Sequence, residues 1–74
     1  MPKLPLIFGK TAIKTFEKIG YVFDRQKGSH IVLRHIDSPH RRLTIPNHTV
    51  LSKGTLRAIL RESGLSIEEF IEIL

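Results

Sequence analysis

The sequence predicts an α+β domain of order α-β-β-β-α with an extra short C-terminal helix. Three observations carry that reading. The apolar period switches from helical to alternating just after Gly20. Three short strand-forming segments follow, separated by turn residues at Lys27-Gly28 and Asp37-Ser38-Pro39-His40. The helical period returns after Ser52. Strands that alternate apolar and polar residues make a three-stranded antiparallel sheet with helices on one face and the other face open.

Each element has its own signals. Residues 1–8 hold two prolines and read as an extended lead-in, with Leu6, Ile7 and Phe8 expected against the core edge. Residues 10–19 read as an amphipathic helix. Ile13 and Phe16 share its inner face beside Ala12 and Ile19, while Lys10, Lys14, Glu17 and Lys18 face water. Gly9 suits the N-cap and Gly20 the C′ position. Tyr21 to Gln26 form the first strand, and the Lys27-Gly28 turn joins it to a second strand, His30 to His35. After the turn at residues 37–40, Arg41 to Ile45 form a third strand that Pro46 stops.

Alternation puts Ile31, Leu33, Leu43 and Ile45 on one face, and His30, Val32, Arg34, Arg42 and Thr44 on the other, provided neither strand bulges. Residues 47–51 are a loop. Ser52 caps a helix over residues 53–63, with Leu56, Ile59 and Leu60 inward, and Gly64 ends it. Ser66-Ile67-Glu68-Glu69 matches the capping box and opens the last helix through Phe70, Ile71 and Leu74.

Composition narrows the function. The 74 residues make one small domain, 1–74, too small to enclose a large cofactor, so no cofactor is expected. Leu, Ile, Val and Phe account for 26 of them, enough to drive a core. There is no cysteine, which removes disulfides, thiolate metal sites and a Cys nucleophile, and suits a reducing cytoplasm. No apolar run exceeds three residues, and no export signal is visible, so no membrane partner is expected. The net charge of +5 is unevenly spread. Residues 1–61 hold all 12 cations and three anions, whereas residues 62–74 hold four glutamates and no cation. A basic body of that kind suits an anionic ligand, nucleic acid first.

Four histidines, His30, His35, His40 and His48, raise the question of a metal. His30 and His35 are five apart on one strand, an odd separation that puts them on opposite faces, so no metal site is expected. The chain has no Walker A loop, no Gly-x-Gly-x-x-Gly and no His-Glu-x-x-His. What remains is Lys27-Gly28-Ser29-His30 at the hairpin, with Arg25, Arg34, Arg41 and Arg42 around it. Histidine exchanges protons near neutral pH. Beside cations it could run metal-free RNA cleavage, in which a base takes the 2′-OH proton, that oxygen attacks phosphorus, and the cations offset the extra charge. The plainer reading makes His30 a tolerated hairpin residue, and the residues alone favour it.

Longer blocks carry a resemblance. Residues 27–35 (KGSHIVLRH), 41–48 (RRLTIPNH) and 53–66 (KGTLRAILRESGLS) resemble, in order and spacing, the three blocks of HicA-type toxins, also called the YcfA family. The ending Glu68-Glu69-Phe70 fits the same pattern, and the likeness runs from about Leu4 to Leu74. The link from His35 to Arg41 is longer than the short Asp-Gly type of turn expected in close relatives.

The resemblance implies a fold similar to double-stranded-RNA-binding domains. It also implies a bacterial type II toxin that cleaves mRNA without the ribosome and is neutralised by a HicB-type antitoxin covering the active face. The family's catalytic histidine maps onto His30, with Gly28 and Ser29 in the same block. Lys27, Arg34 and Arg42 are then the expected RNA contacts, with Arg25 and Arg41 after them. Two other readings stand beside the endoribonuclease: a non-catalytic RNA-binding module, and a protein-interaction domain whose basic face meets an acidic partner.

Overall fold

The computed structural model describes residues 4–47 and 49–74. The elements are α1 (Gly9–Glu17), β1 (Tyr21–Lys27), β2 (His30–His35), β3 (Arg42–Pro46), α2 (Lys53–Ser63) and α3 (Ile67–Ile73). The three strands form one antiparallel sheet in the order β1-β2-β3. This is the α+β layout expected from the sequence, with the short last helix in place. The expected positions of Met1 to Lys3 and of His48 lie outside the described residues.

The core forms where the apolar side of the sheet meets the helices. Leu33, Leu43 and Ile45 are fully buried there, together with Phe16 of α1, Leu56 of α2 and Phe70 of α3. Phe16 joins the layers. Its ring meets Tyr21 of β1 edge-on at 5.5 Å and Phe70 at 5.6 Å. Leu33 pairs with Leu43 and Ile31 with Ile45, so the alternation read from β2 and β3 holds.

Both C-terminal helices begin as their caps dictate. The Ser52 hydroxyl accepts the Thr55 N–H, and α2 ends at Gly64 in the left-handed region. At α3 the Ser66 hydroxyl accepts the Glu69 N–H at 3.1 Å, and the Glu69 carboxylate accepts the Ser66 N–H at 2.9 Å.

Four local expectations are corrected. Phe8, not Gly9, is the N-cap of α1, and Gly9 is the first helical residue. The glycine is needed for packing: a Cβ at Gly9 would fall inside the carbonyl group of Pro46. Gly20 is not at C′ but lies two residues past the Lys18 cap, at φ 105°. Leu6 and Phe8 are 77% and 58% exposed rather than packed on the core edge. The lead-in pairs instead with residues 49–51, through Gly9 N–H to Thr49 O and Leu51 N–H to Ile7 O. Extended alternation then turns Ile7 inward and its two neighbours out. Pro46 closes β3 from within, as its last residue opposite His30, because a terminal strand position tolerates a missing donor.

Two outcomes follow. Gly9→Ala should destabilise the protein by about 1–3 kcal/mol, read as a lower denaturation midpoint. The hydrogen bonds from Ser66 hold the Glu69 carboxyl below its usual range. A lowered folded pKa adds stability above the unfolded value, and that stability is lost as pH falls through the folded value. Urea midpoints at neutral and acid pH should show this loss in the parent and a smaller one in Ser66→Ala.

Candidate active site on the open face of the sheet

The register sets the open face in three rows. Lys27, His30 and Pro46 lie side by side at the hairpin end. Arg25, Val32 and Thr44 form the middle row, and Val22, Arg34 and Arg42 the third. Along one strand the rows are about 7 Å apart, two residues of rise. Arg25 reaches this face because β1 carries a bulge at Asp24: Phe23 pairs with Leu33, and Arg25, two residues on, pairs with the very next residue, Val32. Strict alternation from Tyr21 would have turned Arg25 toward the helices.

The hairpin that presents His30 is fastened on both sides. Its loop is Gly28-Ser29, one residue beyond the expected Lys27-Gly28, because Lys27 still pairs with His30. Gly28 has φ 58°, and Ser29 is not in the positive-φ region, the pattern of a type II′ turn. The Gln26 side chain donates to the Gly28 carbonyl at 2.8 Å, and Asn47 N–H donates to the Ser29 carbonyl at 2.8 Å. His30 follows directly, exposed, and its ring makes no hydrogen bond among the described residues.

The cations differ in surroundings. Lys27, Arg25 and Arg42 are exposed on the face, and Arg34 is half-buried there. Arg34 Nη1 lies 3.4 Å from His40 Nδ1. Asp24 Oδ2 sits 3.6 Å from Arg25 Nε and 3.5 Å from Arg42 Nε, so it touches a strand two places away. Val32 is on the open face yet only 7% exposed. Arg41 is elsewhere. It precedes β3, its Nη1 donates to the Glu62 carbonyl at 3.2 Å, and its charge lowers the Tyr21 pKa against the larger upward push of burial. Arg41 therefore belongs to the helix side, and the structure does not bring it to His30.

Of the other described histidines, His35 is structural. His35 Nδ1 accepts the Asp37 N–H at 3.0 Å, so its Nε2 carries the proton and donates to the Ile19 carbonyl at 2.9 Å. Its ring also meets Tyr21 edge-on at 4.8 Å. The long link after it is tied by His35 N–H to Arg41 O and His40 N–H to Asp37 O. Beside this link lies an open cavity of about 280 Å³ lined by Tyr21, His35, Pro39, Arg41 and Leu65, at the far end of β2 from His30. Among the described residues no three metal-ligating side chains gather.

Sequence reading missed Asp24. The signal was present as an acidic residue inside a run of strand formers, where aspartate is disfavoured. The bulge itself leaves no mark in composition.

The fold and the face define a small α+β protein with one basic, histidine-bearing sheet surface. A family model described as the HicA toxin of bacterial toxin-antitoxin matches residues 9–65, and the chain belongs to that family. No curated protein matches it. It is thus a toxin of a toxin–antitoxin system, and such a system pairs it with an antitoxin. Among the described residues no helix is long and apolar enough to cross a membrane.

The turn geometry is testable. A Cβ at Gly28 or at Gly54 would meet nothing within 4 Å. Gly28→Ala should still cost about 1–2 kcal/mol, because its φ is positive. Gly54→Ala, inside α2, should add about 0.5–1 kcal/mol. Paired thermal melts would read the opposite signs.

Proposed function

We propose that this toxin is a metal-independent endoribonuclease that cleaves mRNA, with His30 as general acid/base. The observation that supports it most is the placement of an exposed His30, on a hairpin fastened at both loop carbonyls, on the same open face as Lys27, Arg25, Arg34 and Arg42.

The chemistry follows from that placement. A neutral His30 takes the proton of a ribose 2′-OH, and the 2′ oxygen bonds to the adjacent phosphorus. The bond from phosphorus to the 5′ oxygen breaks, leaving a 2′,3′-cyclic phosphate. The departing oxygen is protonated by the imidazolium or by water, which the exposed face admits. Lys27, nearest in register, and the arginines of the next rows offset charge on the phosphoryl oxygens and hold neighbouring phosphates. Gly28 and Ser29 act by shaping the turn. Arg41 is left out of the RNA contacts because its guanidinium is engaged at Glu62. The antitoxin is of the HicB type and covers this face, and the toxin acts in the cytoplasm, where mRNA is.

Expression of the parent and of His30→Ala in a bacterium lacking antitoxin tests the reading. The parent should arrest growth and leave cleaved transcripts. His30→Ala should be harmless and cleave RNA about 10²–10⁴-fold more slowly in vitro. Equal cleavage by both overturns the assignment of His30. Salt-sensitive RNA binding without cleavage by either would make the chain a non-catalytic RNA-binding module.

A further inference from the structure

Asp24 is an acid set among the cations of a face proposed to bind RNA, and its cost needs a reason. Its Oδ2 is buried and makes no hydrogen bond. Buried carboxylate oxygens are ordinarily satisfied. The contacts it does make, at 3.5 and 3.6 Å, are ion pairs to the Nε atoms of Arg42 and Arg25. Those arginines stand on the two outer strands of the sheet, with β2 between them. The bulge puts both Asp24 and Arg25 in reach, since it spends an extra residue on that side of β1.

The geometry of the pairs is informative. Each guanidinium approaches the carboxylate oxygen through its Nε. Its two Nη groups make no hydrogen bond among the described residues, and they form the fork that grips phosphate oxygens. A guanidinium on a long side chain would otherwise sample many directions and lose that freedom on binding.

We propose that Asp24 is a positioning residue that holds Arg25 and Arg42 across β2 as one preformed phosphate clamp. It touches neither RNA nor the reacting atoms. The proposal rests on the reading of this face as an RNA site and adds what organises it. It also sets a sign that simple charge counting reverses. If Asp24 were only a counter-charge, removing it would raise the net charge by one and tighten RNA binding. If it positions the arginines, removing it weakens binding.

The test is the affinity of His30→Ala protein, which avoids cleavage, for a mixed-sequence single-stranded oligoribonucleotide across a series of salt concentrations. Adding Asp24→Ala or Asp24→Asn should weaken binding about three- to fivefold, the scale of an exposed ion pair. The slope of log affinity against log salt should become shallower by about 0.7 for each phosphate that the arginines no longer grip. Asp24→Asn keeps the side-chain shape, so it carries the test if Asp24→Ala does not fold, and thermal melts report folding for both. Binding that is unchanged or tighter, or weaker without a shallower slope, overturns the positioning role and leaves the RNA site standing. No RNA binding by the His30→Ala parent overturns the RNA site and the clamp together.

Discussion

One-sided burial of the sheet is the constraint on which the rest depends. Leu33, Leu43 and Ile45 are completely removed from water on the helix side. Because side chains alternate along β2 and β3, a slip of one residue in either strand would expose that strand's whole inward set at once. At roughly 25 cal/mol per Å² of apolar surface, that slip is prohibitive for so small a core. The register is therefore fixed, and with it the opposite face. His30, Arg34 and Arg42 face outward because their neighbours must face inward. The position of the candidate catalytic histidine is thus a by-product of apolar packing.

The bulge at Asp24 is the one departure from that regularity, and it explains where sequence reading stops. Boundaries set by local chemistry were legible: Ser52 and Ser66 as caps, Gly64 as a helix end, and His30–His35 as a strand. The two faces of β2 and β3 were legible too, since neither of them bulges. What was not legible depends on contacts distant in sequence. The need for Gly9 arises from the Pro46 carbonyl, 37 positions on. The exposure of Leu6 and Phe8 follows from pairing with residues 49–51. Arg41 and Arg42 look alike in sequence, yet one joins the helix side at Glu62 and the other joins the open face. Adjacent residues at the start of a strand diverge by a single step of alternation.

Charge is read differently once it is placed. The basic body holds 12 cations, but among the described residues the open face carries four, Arg25, Lys27, Arg34 and Arg42, with Asp24 beside two of them. Lysines of α1 and arginines of α2 decorate the helix layer instead. The glutamates of α3 also belong to that layer, which Phe70 anchors against Phe16. Glu69 completes a capping box, so part of the acidity that stands out in the sequence serves helix initiation. The face is therefore a focused cationic surface on a protein whose total charge says little about it.

An open face limits what electrostatics can do. Charges that touch water interact through a high dielectric, and each contributes far less to a developing transition state than it would in a closed pocket. Catalysis on such a surface must rely on geometry fixed before the substrate arrives. On the proposed reading, the double fastening of the Gly28-Ser29 loop serves that requirement for His30, and the contacts with Asp24 serve it for Arg25 and Arg42. Openness also makes inhibition simple. On the proposed reading, with His30, Arg25, Lys27, Arg34 and Arg42 on one face, a partner that covers it would exclude RNA and remove His30 from solvent in a single step. Inhibition of that kind would need no conformational signal transmitted through the fold.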